Sequence, residues 1–241
     1  MKKNLLLILA ISIIHFLSAQ DRVSFKTSDS LEVIANLYEI DPDYPYMILL
    51  HQGNSSKGEY RDIAISLLKL KYNCLAIDLR SGWLVNFTPN ETAQNARRTR
   101  KSTEMIDADK DILAAIDFVK KRSDKKIILF GSSYSASLAL KIGKTNPLIK
   151  AIIAYSPGEY FKKTFVLHDV LQNIDKPIYV AGSQLEYPYL QKLTELVPKR
   201  NLALFQPQND IGDSGAKSLW KTKEVSKEYW LSLLMFINKL H

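Results

Sequence analysis

Lys126-Ile127-Ile128-Leu129-Phe130-Gly131-Ser132-Ser133-Tyr134-Ser135-Ala136 is an apolar, β-branched run that stops at a glycine and turns around a serine. Residues of helical period follow at once, over Ser135 to Ile142. A strand that passes through small-x-Ser-x-small into a helix forces the central residue into strained backbone geometry, with its side chain exposed above a sheet. Gly131 and Ser135 are small because neighbouring backbone passes close. The helix that begins there points free N–H groups to where an oxyanion would develop beside Ser133. A Gly-x-Ser-x-small string alone is a weak signal. Set between a strand and a helix in the middle of an alternating pattern, it is a strong one.

The rest of the chain supplies that alternation. Arg22 to Lys26 and Leu31 to Leu37 read as a leading pair of strands, with Ser28-Asp29-Ser30 as the turn. Further strands are expected at Tyr46 to Leu50, Cys74 to Asp78, Ala151 to Tyr155, Ile178 to Ala181 and Leu202 to Phe205. Helical spacing recurs over Tyr60 to Leu70, Met105 to Val119, Leu190 to Leu196 and Val225 to Leu240. Most of the strands are continuous apolar runs. The pattern predicts an α/β fold, a mostly parallel central sheet with helices on both faces and the leading pair at one antiparallel edge. Gly82 to Lys101 is the longest stretch without clear period and Pro157 to Asp175 the next; both are expected to be functional loops or a cap.

Lys2 and Lys3, the apolar run Leu5 to Leu17 and the small residues before Gln20 have the order of a secretory signal peptide. The run is too short to span a bilayer comfortably. Residues 1–20 are therefore expected to be a leader, the protein to be exported (periplasmic or secreted) with no stable membrane anchor, and 21–241 to form one domain. The formal charge is +8, or +6 once Lys2 and Lys3 leave with the leader. Arg97-Arg98-Thr99-Arg100-Lys101 is the densest basic stretch; it could touch an acidic polymer or lipid headgroups, or simply be a solvated helix end. No nucleic-acid motif is present and no nucleic acid is expected as a partner. Cys74 is the single cysteine, so no disulfide framework exists. The four histidines, His15, His51, His168 and His241, are scattered, without metal-ligand spacing, and neither metal nor cofactor is expected.

His51-Gln52-Gly53, Asp78-Leu79-Arg80-Ser81-Gly82, Asn90-Glu91-Thr92-Ala93, the Ser133 elbow and Ser156-Pro157-Gly158-Glu159-Tyr160-Phe161 together resemble the α/β-hydrolase family, in its dienelactone hydrolase-like branch. The resemblance runs from about Tyr46 to the C-terminus. It implies an α/β-hydrolase fold with Ser133 as nucleophile, and an oxyanion hole from the Gln52 and Gly53 loop and Tyr134. It makes His51 a loop-orienting residue. The family's acid should follow the strand ending at Gly182, where Ser183-Gln184-Leu185-Glu186 stands. Relatives place an aspartate near Leu185, so Glu186 is the candidate acid, one residue along. The histidine should lie in Asp213-Ser214-Gly215-Ala216-Lys217-Ser218-Leu219-Trp220, and Ser214 occupies its place. The flanks match and the key residue does not.

A serine hydroxyl needs a base within hydrogen-bond reach, itself oriented by a carboxylate. Losing that histidine costs on the order of a millionfold in turnover. Oxyanion stabilisation and binding alone leave about 10³–10⁴ over water. Two functions are expected from this balance: a degenerate or very weak hydrolase that still receives a small ester-like ligand, or an active serine hydrolase of esters, lactones or thioesters with an unconventional base. His168, in the region of a cap, and Asp213 are the stand-ins to examine.

Overall fold

The computed structural model describes residues 20–240. Residues 1–19, which hold nearly all of the expected leader together with His15, and the terminal His241 lie outside them. Eight strands form one sheet: β1 (Asp21–Lys26), β2 (Glu32–Tyr38), β3 (Tyr46–Leu50), β4 (Asn73–Ile77), β7 (Ile127–Ser132), β8 (Ile149–Tyr155), β9 (Ile178–Ala181) and β10 (Leu202–Phe205). Their spatial order is β1-β2-β4-β3-β7-β8-β9-β10. The β1–β2 and β2–β4 pairs are antiparallel and the others parallel. β5 (Leu84–Val85) and β6 (Thr88–Pro89) make a separate hairpin.

The helices are α1 (Arg61–Leu68), α2 (Glu91–Arg98), α3 (Asp109–Lys120), α4 (Tyr134–Thr145), α5 (Leu167–Leu171), α6 (Tyr187–Leu193) and α7 (Ser226–Asn238). β3, β4 and β7 are buried on both faces, as parallel strands covered by helices must be. Two apolar clusters result. Ile48, Leu50, Leu75, Ile77 and Leu129 meet Ile112 and Ile116 of α3 and Leu138 of α4. Met47, Leu49, Ala76, Ile128 and Phe130 meet Ile63 and Leu67 of α1 and Tyr229 and Leu233 of α7. Alternate residues of one strand thus feed opposite layers. Cys74 is a buried free thiol, its pKa pushed up by burial.

Three expectations need correction. Residues 82–101 are not irregular, since they hold the β5–β6 hairpin and α2. Only Thr92, Ala93 and Ala96 of α2 are buried, so its inward face is a narrow stripe of small residues with no large apolar side chain. α6 starts at Tyr187 rather than Leu190, with Pro188 in its first turn, where a missing N–H costs nothing. Residues 157–175 contain the short α5, whose Leu167 and His168 N–H groups are accepted by Glu159 at 2.8 and 2.9 Å.

Candidate functional site

Ser133 has φ 59° and ψ −124°, a left-handed conformation rare for a residue with a side chain. The strain is held by the turn's surroundings. A Cβ on Gly131 would lie 2.5 Å from the Cα of Ala136, so only glycine fits there. Ser135 is buried, and its hydroxyl accepts the Ser132 N–H at 3.0 Å while lying 2.8 Å from the Leu50 carbonyl. A second glycine could not make this tie between the elbow and the end of β3. α4 begins at Tyr134, whose N–H is one of the free donors of a helix first turn.

The hydroxyl of Ser133 donates to the Tyr160 hydroxyl at 2.9 Å, its one side-chain hydrogen bond among the described residues. Tyr160 stands on the loop after β8, with its N–H donating to Gly158 at 2.9 Å and its ring packed beside Gly158. It was visible only as part of the Ser156 to Phe161 motif. The phenol oxygen accepts here, and Tyr160 is the hydrogen-bond partner that the structure gives the Ser133 hydroxyl.

Glu186 sits at the start of α6 and gathers hydroxyls. Its Oε2 accepts from Ser156 Oγ at 2.9 Å, Ser183 N at 2.8 Å and Ser183 Oγ at 3.0 Å. Its Oε1 accepts from Ser214 Oγ at 2.8 Å. Glu186 and Ser214, the candidate acid and the residue expected at the histidine's position, are therefore brought together, and neither bonds Ser133. The Ser214 loop is pinned, with Gly215 N donating to Ser156 Oγ at 2.8 Å and Ala216 N to Ser132 Oγ at 2.9 Å. Gly215 has φ 77°, and a Cβ there would lie 2.4 Å from Gln52 Oε1. Asp213 faces Lys223 at 3.2 Å. His168 faces Glu195 at 3.2 Å and Asp169 at 3.5 Å. Neither of these two stand-ins reaches Ser133.

Of the two N–H groups in the Gln52–Gly53 loop, that of Gln52 donates to Glu59 Oε2 at 3.1 Å, and Ser55 Oγ donates to the same oxygen at 2.7 Å. Between these two residues, the N–H of Gly53 is the one left for an oxyanion. His51 is fully buried behind it: its Nδ1–H donates to the Gln52 carbonyl at 2.7 Å, and Nε2 accepts Leu79 N–H at 2.9 Å and Asn90 Nδ2–H at 3.1 Å. Asn90 also caps α2, accepting Ala93 N–H at 2.8 Å. His51 thus joins three loops and acts on none of the reacting atoms.

Burial pushes the His51 pKa below its ordinary value. The unfolded chain takes up a proton near pH 6.5 that the folded, neutral ring refuses, so the stability conferred is complete above that pH and is lost as pH falls. The limiting slope is about 1.4 kcal/mol per pH unit. Urea midpoints at pH 7.5 and 5.5 should diverge more for the unaltered protein than for His51→Gln. Equal divergence would show that His51 carries a proton in the fold.

Beside Tyr160 lies a cleft of about 660 Å³ lined by Ser81, Met105, Ile106, Phe161 and Thr164 among others. That volume suits a small organic molecule. Met105 closes on Gly53, where an added Cβ would lie 3.3 Å from the Met105 Cε.

No protein-family model matches the chain, and no curated protein matches it in sequence. Solved structures do match. An esterase of Pyrococcus furiosus, Pf2001, superposes with a TM-score of 0.65 at 18% identity, over 92% of this chain and 91% of that one. A dienelactone hydrolase of Anabaena variabilis gives 0.65 at 15%, over 90% and 94%. The α/β hydrolase GrgF of a Penicillium species gives 0.69 at 14%, over 91% and 98%. The strand order, the strained serine between β7 and α4, and these superpositions establish that the chain has the α/β-hydrolase fold.

Proposed function

We propose that this protein is an exported hydrolase-fold protein that receives a small ester-like molecule at Ser133 and turns it over very slowly or not at all. One observation carries the reading: the Ser133 hydroxyl is bonded to the phenol of Tyr160, and the place of the base holds Ser214, whose hydroxyl is spent on Glu186. Proton removal from serine then has no imidazole to receive the proton, which forgoes about 10²–10⁴ in rate from base catalysis alone. The features that stabilise an oxyanion remain in outline, as the Tyr134 N–H at the head of α4 and the Gly53 N–H. Solved structures that share the fold include an esterase and a dienelactone hydrolase, which favours an ester or lactone as the ligand class. The leader read over residues 1–20 carries the export part of the proposal.

The alternative is an active hydrolase in which Tyr160, as its phenolate, is the unconventional base. The 2.9 Å contact is the observation in its favour. A fluorophosphonate probe separates the two. Labelling at neutral pH should be slow or absent, and Tyr160→Phe should leave it unchanged. Rapid labelling abolished by both Ser133→Ala and Tyr160→Phe would reject the inactive reading and establish Tyr160 as the base.

A further inference from the structure

We propose that the β5–β6 hairpin and the basic end of α2 form a docking surface for an anionic lipid membrane. The hairpin pairs Leu84 with Pro89 and Val85 with Thr88, so its loop is the two residues Asn86 and Phe87. Both have positive φ, 50° and 57°, the type I′ geometry in which the second position favours glycine. Here it holds phenylalanine, strained by its backbone and 99% exposed, with nothing to pack on. Trp83 at 66% and Leu84 at 50% exposure continue the same apolar surface. Exposing three large apolar groups on a strained turn has no stabilising role in the fold, and breaches of this kind mark functional sites.

The hairpin is presented rigidly. Ser56 Oγ donates to the Thr88 carbonyl at 2.7 Å, Asn86 Nδ2 to the Gly58 carbonyl at 3.0 Å, and Trp83 N to the Ser55 carbonyl at 3.0 Å. A Cβ on Gly58 would lie 2.6 Å from the Val85 carbonyl, so the hairpin sits directly on the chain below it.

Charge identifies the occupant. The Arg97 guanidinium stacks 5.4 Å above the Trp83 ring, which ties the basic stretch to the apolar tip. Arg97, Arg98, Arg100 and Lys101 are all exposed, and none has a carboxylate partner among the described residues. Glu91, on the same helix, is already paired with Arg22 and Lys57. Aromatic side chains beside unpaired arginines match the boundary between anionic headgroups and acyl chains, where Trp and Phe enter and Arg stays with the phosphates. The surface is a projecting tip with a cationic collar, which suits a lipid interface better than the recess of an acidic protein. Ser81 of the cleft precedes Trp83 by two residues, so docking would bring a bilayer towards the rim of the candidate site.

The test is co-sedimentation of the full chain with phosphatidylcholine vesicles, with and without phosphatidylglycerol. Binding is expected only to the anionic vesicles, with a blue shift of tryptophan emission and release at high salt. Phe87→Gly should weaken binding about tenfold or more, while leaving the melting temperature equal or higher because glycine suits the turn. Phe87→Asn, also tolerant of that backbone, should do the same. Arg97→Gln and Arg98→Gln should each weaken binding about fivefold. Equal binding to neutral and anionic vesicles, no binding to either, or unchanged binding by Phe87→Gly would overturn the proposal. Capture of an acidic protein without vesicle binding would overturn it too.

Discussion

Ser214→His is expected to raise hydrolysis of an activated ester about 10²-fold or more, because it returns an imidazole to the one place where a carboxylate already waits. Ser214 Oγ lies 2.8 Å from Glu186 Oε1, and the other carboxylate oxygen is fixed by Ser156 and Ser183. An imidazole at this position would give its Nδ1–H to Glu186, which sets the tautomer and leaves Nε2 as acceptor for the serine proton. Gly215 and Ala216 hold the loop through their N–H groups, so the new side chain enters a braced backbone. The obstacle is Tyr160, whose hydroxyl already holds the Ser133 hydroxyl. Tyr160→Phe/Ser214→His should therefore exceed the single variant, and Ser133→Ala should remove the gain from both. If neither the single nor the double variant rises above the unaltered protein in initial rates of p-nitrophenyl acetate hydrolysis, Ser214 does not stand where the base belongs.

Arg80→Met is expected to destabilise the fold by about 3–5 kcal/mol. In a domain of this size that lowers the melting temperature by roughly 10 °C. The Arg80 and Asp111 side chains are both completely buried and paired at 2.8 Å, with a further bond from Arg80 N to Asp111 Oδ2 at 2.8 Å. The other edge of the guanidinium holds Asp29 at 2.8 Å. One side chain thereby joins the β1–β2 turn, the loop after β4 and α3. Removing the cation leaves the Asp111 carboxylate buried without a counter-charge, which is the costly half of breaking such a pair. Arg80→Met/Asp111→Leu removes that residue of charge, and Asp29 is exposed enough to hydrate, so the double variant should recover most of the loss. Thermal unfolding of both variants decides it. A double variant no more stable than Arg80→Met would mean that the packing of Arg80, rather than its charge, was at stake.

The motif Asp78-Leu79-Arg80-Ser81-Gly82 thus has a structural meaning that the residue string did not show. Asp78 accepts from Lys57 N and Nζ and from Glu91 N, at 2.7, 2.7 and 2.8 Å, tying the loop after β3 to the head of α2. These partners lie 13 to 21 residues from Asp78, and no local pattern joins them. Which of the two loop residues keeps its N–H free was hidden for the same reason: the acceptor of Gln52 N–H, Glu59, is seven residues away and turned inward by the 3-10 turn Lys57–Tyr60. The sheet was legible because burial on both faces writes itself into a strand as an unbroken apolar run. α2 was not, because its buried face is only Thr92, Ala93 and Ala96, and a stripe without large apolar residues is easily passed over in a polar stretch.

From its residues alone, the chain determined its alternating strands and helices, the serine at the turn between β7 and α4, and the lack of any histidine between His168 and His241. These are statements about local pattern and identity, which sequence carries in full. Only the tertiary structure decided that Tyr160 is what the serine touches, that Glu186 and Ser214 meet, and that Phe87 projects from its turn with no cover. Each of these depends on side chains brought together, or held apart, by the packing of separate elements. Hydrogen-bond geometry closes over a few ångströms in space, and residues 27 and 28 positions apart carry no local mark that they will share it.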